Sequence, residues 1–368
     1  MRRVLAQSKK ELTQFGRDRL TVALAFVLPL ATLLIFGFAI RLEAQNIPLA
    51  IQDFDNSPLS RAYIERIFAT NQFQPVDWGT RDPLQQALDP GVAKAAVIIP
   101  PNFSRQIKVG IPVEVQVLVD GTDVNNARVI RNSINATTQF FLRESGLQTQ
   151  PPNIDLQSRI WFNPGRQEAL YIVPGTIAVI LWIYPSLLAA IAMVREKEQG
   201  TIIQIYASNL SAMELLVGKG LAYLLVGLGE AIVIMGISFL LFGLRLAGDP
   251  TPLLLGTPLF VAVAVTFGLV VGIRATNQNA SVQVVATLGF LTAFLLSGFI
   301  YPLSNIPFPL SLISNIVPTR YYIPIIRDAF VRGAGWPGIW FDVVMILLLG
   351  LLLFNLAGRS LRRMQLPD

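Results

Sequence analysis

Long apolar stretches separated by short polar segments make up most of the chain. A transmembrane helix needs about 20 apolar residues, and six stretches meet this requirement: Leu20–Ile40, Tyr171–Val194, Leu215–Phe242, Pro252–Ile273, Ala280–Ile300 and Ile339–Ala357. Uninterrupted runs of this length are typical of membrane spans and not of amphipathic helices on a soluble core. The pattern predicts a polytopic α-helical membrane protein with six transmembrane helices.

Residues 1–19 differ from the spans because six basic side chains share this segment with apolar residues. The apolar residues Val4, Leu5, Leu12 and Phe15 fall roughly on one helical face. A helix with one apolar face and many cations lies in the headgroup region of a bilayer. The segment therefore predicts an interfacial helix on the cytoplasmic side.

The first apolar stretch, residues 20–40, has two interpretations, a cleaved signal peptide or a retained membrane anchor. Its 21 residues exceed the roughly 7 to 15 of a signal-peptide core, and the small-residue cleavage pattern is missing. As a helix it would be about 31 Å long, which is enough to cross a bilayer. Both features favour a retained transmembrane helix.

Residues 41–170, between the first two spans, contain charges throughout and only short apolar runs. Three runs rich in β-branched residues predict strands at Ile47–Gln52, Ala93–Ile99 and Val113–Val119. Helical patterns alternate with them at Ser57–Ala69, Asn102–Val109 and Asp123–Glu144. The alternation predicts a small, water-facing α/β domain.

The residues Asp53, Asp55 and Ser57 match the start of a calcium-binding loop. The glycine and the later glutamate of that motif are absent. A strand end followed by a helix cap is therefore the favoured interpretation.

A polar stretch between the second and third spans cannot lie in hydrocarbon. Its charged and turn-forming residues are Arg195, Glu196, Lys197, Glu198, Gly200 and Thr201, and it continues to Tyr206. Isoleucines recur in it at near-helical spacing. The stretch near 196–206 thus predicts a short interfacial helix with one face free for a partner. Glycine would supply the turn into that helix and threonine its cap.

The segment 301–336 is apolar, but prolines interrupt it too often for a span. Its first part contains Tyr301, Pro302, Pro307 and Pro318. Proline ends or kinks a helix, so no piece reaches the length that a crossing needs. We expect broken or re-entrant helices in the outer leaflet, supported by protein or a water-filled cavity. Such a segment could gate an exit.

Basic residues predict the orientation of the spans. With the N-terminus inside, thirteen lysines and arginines fall in the inner segments and four in the short outer loops. Positive charge accumulates on the cytoplasmic side. Both termini, including the tail 358–368, are therefore predicted to be cytoplasmic, and the domain 41–170 to be outside.

Composition excludes several functional classes. The chain is 53% hydrophobic and 14% charged, with a mean hydropathy of +0.54, and it contains no histidine and no cysteine. Imidazole bases, thiolate metal sites and disulfides are therefore absent. The formal net charge of +6 would be compatible with a nucleic-acid partner. The basic residues, however, cluster at the ends of the spans, where they set the orientation of the chain in the membrane. No nucleic-acid partner is therefore expected.

Three residues inside the spans are candidates for function. Glu230 is the one acidic residue deep in a predicted span, and such a group either faces a transport pathway or is a structural carboxylate with a local partner. Gly268 and Gly272 are spaced for close helix packing. They could form a subunit interface, although glycine is common in spans.

Three stretches carry a resemblance to a known family. They are RIWFNPGRQEALYIVPG at Arg159–Gly175, MVREKEQGTIIQIYASNLSAMELLVGKGLAY at Met193–Tyr223, and SGFIYPLSNIPFPLSLISNIVPTRYYIPIIRDAFVRGAG at Ser297–Gly335. With the order of one span, an external domain and five further spans, the chain resembles the membrane subunit of an ABC type-2 exporter.

The resemblance implies a permease of the bacterial inner membrane that pairs with a second copy or a paralogue. It implies that a separate cytoplasmic ATPase grips the coupling helix near 196–206 and binds ATP and magnesium. This chain lacks the G-x-x-x-x-G-K-[ST] loop, so we expect no bound cofactor and no enzymatic activity of its own. A lipophilic substrate and multidrug efflux are expected, as are contacts with membrane lipids and a periplasmic adaptor.

Two other functions are open. One is an ion-coupled transporter or channel that uses Glu230, although proton relays usually need several intramembrane charges. The other is a membrane-anchored sensor or scaffold whose external domain does the work. Six spans and a coupling segment exceed what a scaffold requires.

Overall fold

The computed structural model describes residues 1–39, 46–77, 87–88, 90–121, 124–147, 162, 167–200 and 210–365. The chain forms two compact units. One comprises Met1–Ile40 and Arg159–Asp368, and the other comprises Arg41–Ser158. The predicted spans and the predicted soluble segment therefore separate into different bodies.

The first unit begins with two helices, α1 (Arg2–Arg17) and α2 (Arg19–Ala39). Its later long helices are α6 (Ala169–Glu198), α7 (Ala212–Phe242), α8 (Thr251–Arg274), α9 (Gln278–Leu296) and α12 (Trp336–Gln365). In the described part of the chain, six helices are long and apolar enough to cross a membrane: α2, α6, α7, α8, α9 and α12. The predicted number of spans is confirmed.

Helix α6 lies at the centre of this unit. Within its most apolar window 78% of the residues are buried, compared with 17% for α2 and 11% for α12. Its indole Trp182 stacks on Phe260 and Phe267 of α8, at centroid distances of 5.8 and 5.1 Å. A helix enclosed by its neighbours moves only if they move, so α6 connects the bundle mechanically.

Two glycines bring α6 and α8 into backbone contact. A Cβ atom at Gly268 would lie 2.0 Å from the Ser186 carbonyl oxygen, and one at Gly272 would lie 2.6 Å from that of Ala190. The prediction of close helix packing is correct, but the partner is α6 of the same chain. The predicted role of these glycines at a subunit interface or in the transport pathway stays a prediction, and within this chain α6 packs against the face that carries them.

The proline-rich segment consists of short helical pieces, as predicted. They are a 3₁₀ turn at Leu303–Asn305, α10 (Leu310–Ser314) and α11 (Pro318–Arg327), and α11 continues into a π-helical turn at Asp328–Arg332. Pro318 begins α11, where its missing N–H costs no hydrogen bond. None of these pieces is long enough to span a bilayer.

An arginine fixes the end of α9 against this segment. Arg327 donates to the carbonyl oxygens of Gly298 and Phe299, at 3.2 and 3.3 Å, and stacks 4.1 Å from the centroid of the Tyr171 ring. Gly298 has a φ of +83°, a conformation that ends a helix. The span therefore ends at Leu296, four residues before the predicted Ile300.

The second unit is built on a four-stranded sheet in the order β2-β1-β3-β4. The strands are β1 (Ile47–Asp53), β2 (Phe73–Pro75), β3 (Ala95–Ile99) and β4 (Gln116–Val119). Strand β1 pairs in parallel with β2 and β3, whereas β3 and β4 are antiparallel. The helices are α3 (Pro58–Phe68), α4 (Phe103–Lys108) and α5 (Val124–Glu144). The three-residue strand β2 is too short to have been found by periodicity.

The acidic residues after β1 form a helix cap. The Asp53 carboxylate accepts the backbone N–H groups of Asp55 and Asn56, at 3.0 and 3.1 Å, and the hydroxyl of Ser60, at 2.6 Å. The hydroxyl of Ser57 accepts the backbone N–H of Ser60 and caps α3. The favoured interpretation, a strand end followed by a cap, is confirmed.

Candidate functional site

The polar stretch after the second span begins inside a helix. Helix α6 continues to Glu198, so Arg195–Glu198 form its last turn, and Gly200 ends it with a φ of +67°. The helix continues four residues past the predicted end of the span at Val194, because its charged side chains find partners in the same chain. Thr201 and Tyr206, with the rest of the predicted coupling helix, lie outside the described residues.

The four charged residues of this last turn point in different directions. Successive residues of an α-helix are about 100° apart, so four in a row cover most of its circumference. Each of these residues is bonded to a different part of the same chain. We call Arg195–Glu198 and their partners the charged junction.

Arg195 binds the start of α2. Its guanidinium lies 3.1 Å from a carboxylate oxygen of Asp18 and 3.4 Å from the hydroxyl of Thr21. Hydrogen bonds from the hydroxyl and backbone N–H of Thr21 hold the pKa of Asp18 below its usual value, and Arg195 adds to this effect. Asp18 is therefore an ionised cap that ties α2 to the end of α6.

Glu196 binds two lysines on different helices. Its carboxylate lies 3.0 Å from Lys10 of α1 and 3.2 Å from Lys219 of α7. Lys219 is 1% exposed and also lies 2.8 Å from Glu11 of α1. Its ammonium donates in addition to the carbonyl oxygen of Ala192, at 3.3 Å. A buried lysine with two carboxylates joins α1, α6 and α7.

Burial shifts the pKa of Glu11, the second acidic residue that contacts Lys219. Removal from water raises the pKa of Glu11, and the Lys219 ammonium opposes the rise. Gln7 donates to the same carboxylate at 2.9 Å. The side chains of Lys219 and Glu11 are 1% and 3% exposed, and breaking such a buried ion pair costs more than breaking one at the surface.

Lys197 and Glu198 bind the connection between α8 and α9. The Lys197 ammonium donates to the carbonyl oxygens of Ile273 and Ala275, both at 2.7 Å, and so satisfies the carboxyl end of α8. Glu198 accepts the backbone N–H of Gln278 at 2.9 Å and also its side-chain amide. A cation at a helix carboxyl end and an anion at an amino end both favour the helix dipole.

Helix α1 packs on α7 through a polar face. Its buried residues are Gln7, Ser8 and Glu11, whereas Leu5, predicted for the apolar face, is 57% exposed. A Cβ atom at Gly218 of α7 would lie 2.8 Å from the side chain of Gln7. The exposure of Leu5 is compatible with the predicted interfacial helix, whose apolar face would contact the bilayer, and the polar face of α1 is the one that packs on α7.

Sequence reasoning missed the partners of the junction: Lys10, Glu11, Asp18 and Lys219. One signal was present, since Glu11 and Asp18 are the two acidic residues in a segment with six basic ones. Acids placed within a basic interfacial helix indicate specific pairing. The partners themselves could not be read, because Glu11 and Lys219 lie 208 positions apart.

A cavity of about 730 Å³ lies beside the junction. Its charged lining residues are Lys10, Glu11, Arg17, Asp18, Arg195, Glu196 and Lys219. Apolar residues of α6, among them Leu188 and Ile191, form another part of the wall. The cavity is thus amphipathic and is lined by residues of α1, α2, α6 and α7.

Glu230 lies inside α7, away from the junction. It is 0% exposed, and neither carboxylate oxygen has a hydrogen-bond partner among the described residues. The hydroxyls of Thr32 and Tyr184 hydrogen-bond to each other at 2.6 Å, joining α2 to α6, and not to Glu230. The structure therefore gives no support to the interpretation of Glu230 as a structural carboxylate with a local hydrogen-bond partner.

The residues of the predicted exit gate lie at the other end of α6. Tyr301 is 56% exposed, Pro302 and Pro307 are exposed, and Pro318 is buried. The Tyr171 hydroxyl, near the first residue of α6, donates to the Phe299 carbonyl at 3.1 Å. The structure thus separates the gate residues from the coupling residues by the length of one spanning helix.

Comparison with known proteins is consistent with this architecture. A family model described as ABC-2 family transporter protein matches residues 19–359. The chain is 28% identical over 345 residues to the probable multidrug ABC transporter permease YbhS of Escherichia coli, covering 90% of this chain and 89% of that protein. It is 27% identical over 336 residues to the probable multidrug ABC transporter permease YbhR of the same organism, covering 90% of each.

The inner membrane transport permease YhhJ of Escherichia coli is 26% identical over 352 residues, which cover 90% of this chain and 92% of that protein. All three alignments extend over nearly the whole chain and not over a single segment. With six helices suited to crossing a membrane and a family match over most of its length, the chain belongs to the ABC-2 transporter family.

Proposed function

We propose that this chain is the permease subunit of an ATP-driven exporter, and that a separate ATPase moves it through the charged junction. The observation that carries the proposal is the set of bonds made by the last turn of α6. That turn holds α1, α2, α7, α8 and α9 at one point. A displacement applied there would reach the central helix and four other spans or their connections.

The charged residues of the turn act as transmitters in this proposal. Arg195, Glu196 and Lys197 are engaged inside the chain, so the ATPase would grip the residues that follow Gly200. A push on that segment would rotate α6 as a rigid body and, through the ion pairs, carry its neighbours. Packed interfaces convert a small shift into a discrete rearrangement.

Nucleotide binding belongs to the partner in this proposal. ATP and magnesium would be held by the ATPase, since the chain lacks the phosphate-binding loop. The family supports a permease that works as a dimer, with a second copy or a paralogue. Both termini would be cytoplasmic, and the unit formed by residues 41–158 would face the outside and could meet a periplasmic adaptor.

Lipophilic compounds are the proposed substrates. Two relatives are named as probable multidrug permeases, and the spans of this chain are apolar along their length. A path between apolar helices favours apolar solutes, because polar ones would lose hydration without replacement. The proline-rich segment after α9 would open on the outer side to release them.

Reconstitution tests the proposal. The chain would be placed in liposomes with and without a candidate ABC ATPase subunit, and export of a fluorescent lipophilic dye would be followed. We expect ATP-dependent export only with both proteins present. Export driven by a proton gradient without nucleotide would reject the proposal.

An ion-coupled transporter is the second candidate, and the buried, unpartnered carboxylate of Glu230 favours it. Glu230→Gln tests it, because the amide keeps the shape and removes the titratable group. Under the exporter proposal, ATP-driven export changes less than about twofold, which is below 0.5 kcal/mol. Export that follows a proton gradient in the unmodified chain and is lost in Glu230→Gln, with the fold intact, would favour ion coupling.

A further inference from the structure

The cavity beside the charged junction has an unbalanced charge. Four of its lining residues are basic and three are acidic. Lys219 lies against Glu11 and Glu196, Lys10 against Glu196, and Arg195 against Asp18. Arg17 is the remaining cation, and it has no ion-pair partner among the residues that the structure describes. The cavity therefore favours an anion near Arg17.

Part of the cavity wall is apolar. Leu188 and Ile191 of α6 line the cavity together with Phe15 of α1 and Tyr223 of α7. A small inorganic anion would leave this wall in contact with water. A ligand with an anionic head and an apolar body would cover both surfaces.

The position of the cavity matches the headgroup layer. It lies where α6 and α7 pass from apolar sequence into charged sequence, next to the amphipathic helix α1. The same helix carries three exposed basic residues, Arg2, Arg3 and Lys9. Such residues raise the local concentration of acidic lipids.

We propose that this cavity binds one anionic phospholipid, with the phosphodiester at Arg17 and the glycerol and first methylenes against Leu188 and Ile191. Its volume of about 730 Å³ falls in the range of roughly 300 to 1,000 Å³ that is usual for small-molecule sites. Because the site touches α1, α2, α6 and α7, bound lipid ties the charged junction together. An effect of the bound lipid on transport rests on the proposed function, but the binding of the lipid does not.

Lipid retention by the full chain tests the site. The protein would be purified in mild detergent, mixed with phosphatidylglycerol or phosphatidylethanolamine, and analysed by native mass spectrometry. We expect one phosphatidylglycerol to be retained in preference to phosphatidylethanolamine. Arg17→Gln should lower this retention about fivefold, the effect of one basic contact with an anionic lipid.

Three further variants make the result specific. Lys9→Gln removes a neighbouring exposed cation that does not line the cavity, so retention should stay within twofold. Arg17→Lys keeps the charge and should retain the lipid. Gln14→Trp fills the cavity from the exposed side of α1, where Gln14 lines it, and should displace the lipid without a change of charge.

Several outcomes would overturn the site. Equal losses in Arg17→Gln and Lys9→Gln would mean diffuse surface attraction, and retention in Gln14→Trp would place the lipid elsewhere. Displacement of the lipid by millimolar inorganic phosphate would assign the cavity to free phosphate. Because no ATPase is present, failed retention rejects the lipid site alone, whereas failed ATP-driven export with normal retention rejects only the proposed function.

Discussion

At the scale of single residues, the buried lysine of the charged junction is held by two carboxylates. Lys219 is 1% exposed and lies within 3.2 Å of carboxylates from both Glu11 and Glu196. Taking one partner away leaves the others buried without compensation, which costs far more than losing a surface pair. The position is therefore sensitive to any neutral substitution.

Lys219→Met should destabilise the protein by about 3 to 5 kcal/mol, because two carboxylates lose their buried counter-ion. The measurement is the thermal unfolding midpoint of the purified chain in detergent. Arg3→Gln is the control, since Arg3 meets Glu214 of α7 at 4.0 Å with a 59% exposed side chain, and an exposed pair contributes less than about 1 kcal/mol. Equal shifts in the two variants would contradict the buried ion pair.

A double substitution measures the interaction between Glu11 and Lys219 directly. Glu11→Gln combined with Lys219→Met removes one orphaned carboxylate, so its loss of stability should be smaller than the sum of the single losses. Strict additivity would mean that Glu11 and Lys219 do not interact.

At the scale of elements, two glycines decide how closely the central helix packs. Gly268 and Gly272 allow the backbones of α6 and α8 to touch, and Gly218 does the same for α1 on α7. Small residues at such crossings give backbone contact that larger ones exclude. Close backbone packing therefore contributes to holding these helices together, in addition to the ion pairs.

Gly268→Ala should strongly reduce the folded yield and lower the thermal midpoint, because the new methyl group would lie 2.0 Å from a backbone oxygen. Gly236→Ala is a matched control in α7, where a Cβ atom meets nothing within 4 Å. That variant should be neutral or more stable by up to about 1 kcal/mol, since alanine favours a helix over glycine. Similar behaviour of both variants, measured by size-exclusion chromatography and thermal unfolding, would contradict the packing.

The elements were predictable from sequence to the extent that hydropathy controls them. All six spans were found, because a bilayer-spanning helix has to be apolar along its length. Helix ends were missed where tertiary contacts set them: Lys197 and Glu198 extend α6 by bonding to neighbours, and Arg327 shortens α9. Partners distant in sequence carry no local signal, so the junction emerged only from the structure.

At the scale of the whole molecule, orientation is the property that the proposed function requires. The charged junction has to face the ATPase, and therefore the cytoplasm. The absence of native cysteine makes single-cysteine labelling unambiguous, because every reactive thiol would be an introduced one.

The variants Gly121→Cys and Gln199→Cys report on the two sides of the membrane. Both positions are exposed; Gly121 follows β4, and Gln199 follows the last turn of α6. We expect a membrane-impermeant maleimide to label the first variant in intact spheroplasts and the second only after permeabilisation. The reverse pattern would invert the positive-inside assignment and place the junction out of reach of a cytoplasmic ATPase.

The most direct test of the central claim is the amount of substrate exported per ATP hydrolysed by the reconstituted complex carrying Glu196→Gln. This change weakens the bonds from α6 to Lys10 and Lys219 and leaves the ATPase untouched. We expect ATP hydrolysis to stay within about twofold of the unmodified complex while export falls about tenfold, a loss of about 1.4 kcal/mol in coupling. The control Glu65→Gln, an exposed residue of the other unit, should change neither rate. Unchanged export per ATP in Glu196→Gln would contradict transmission through the charged junction.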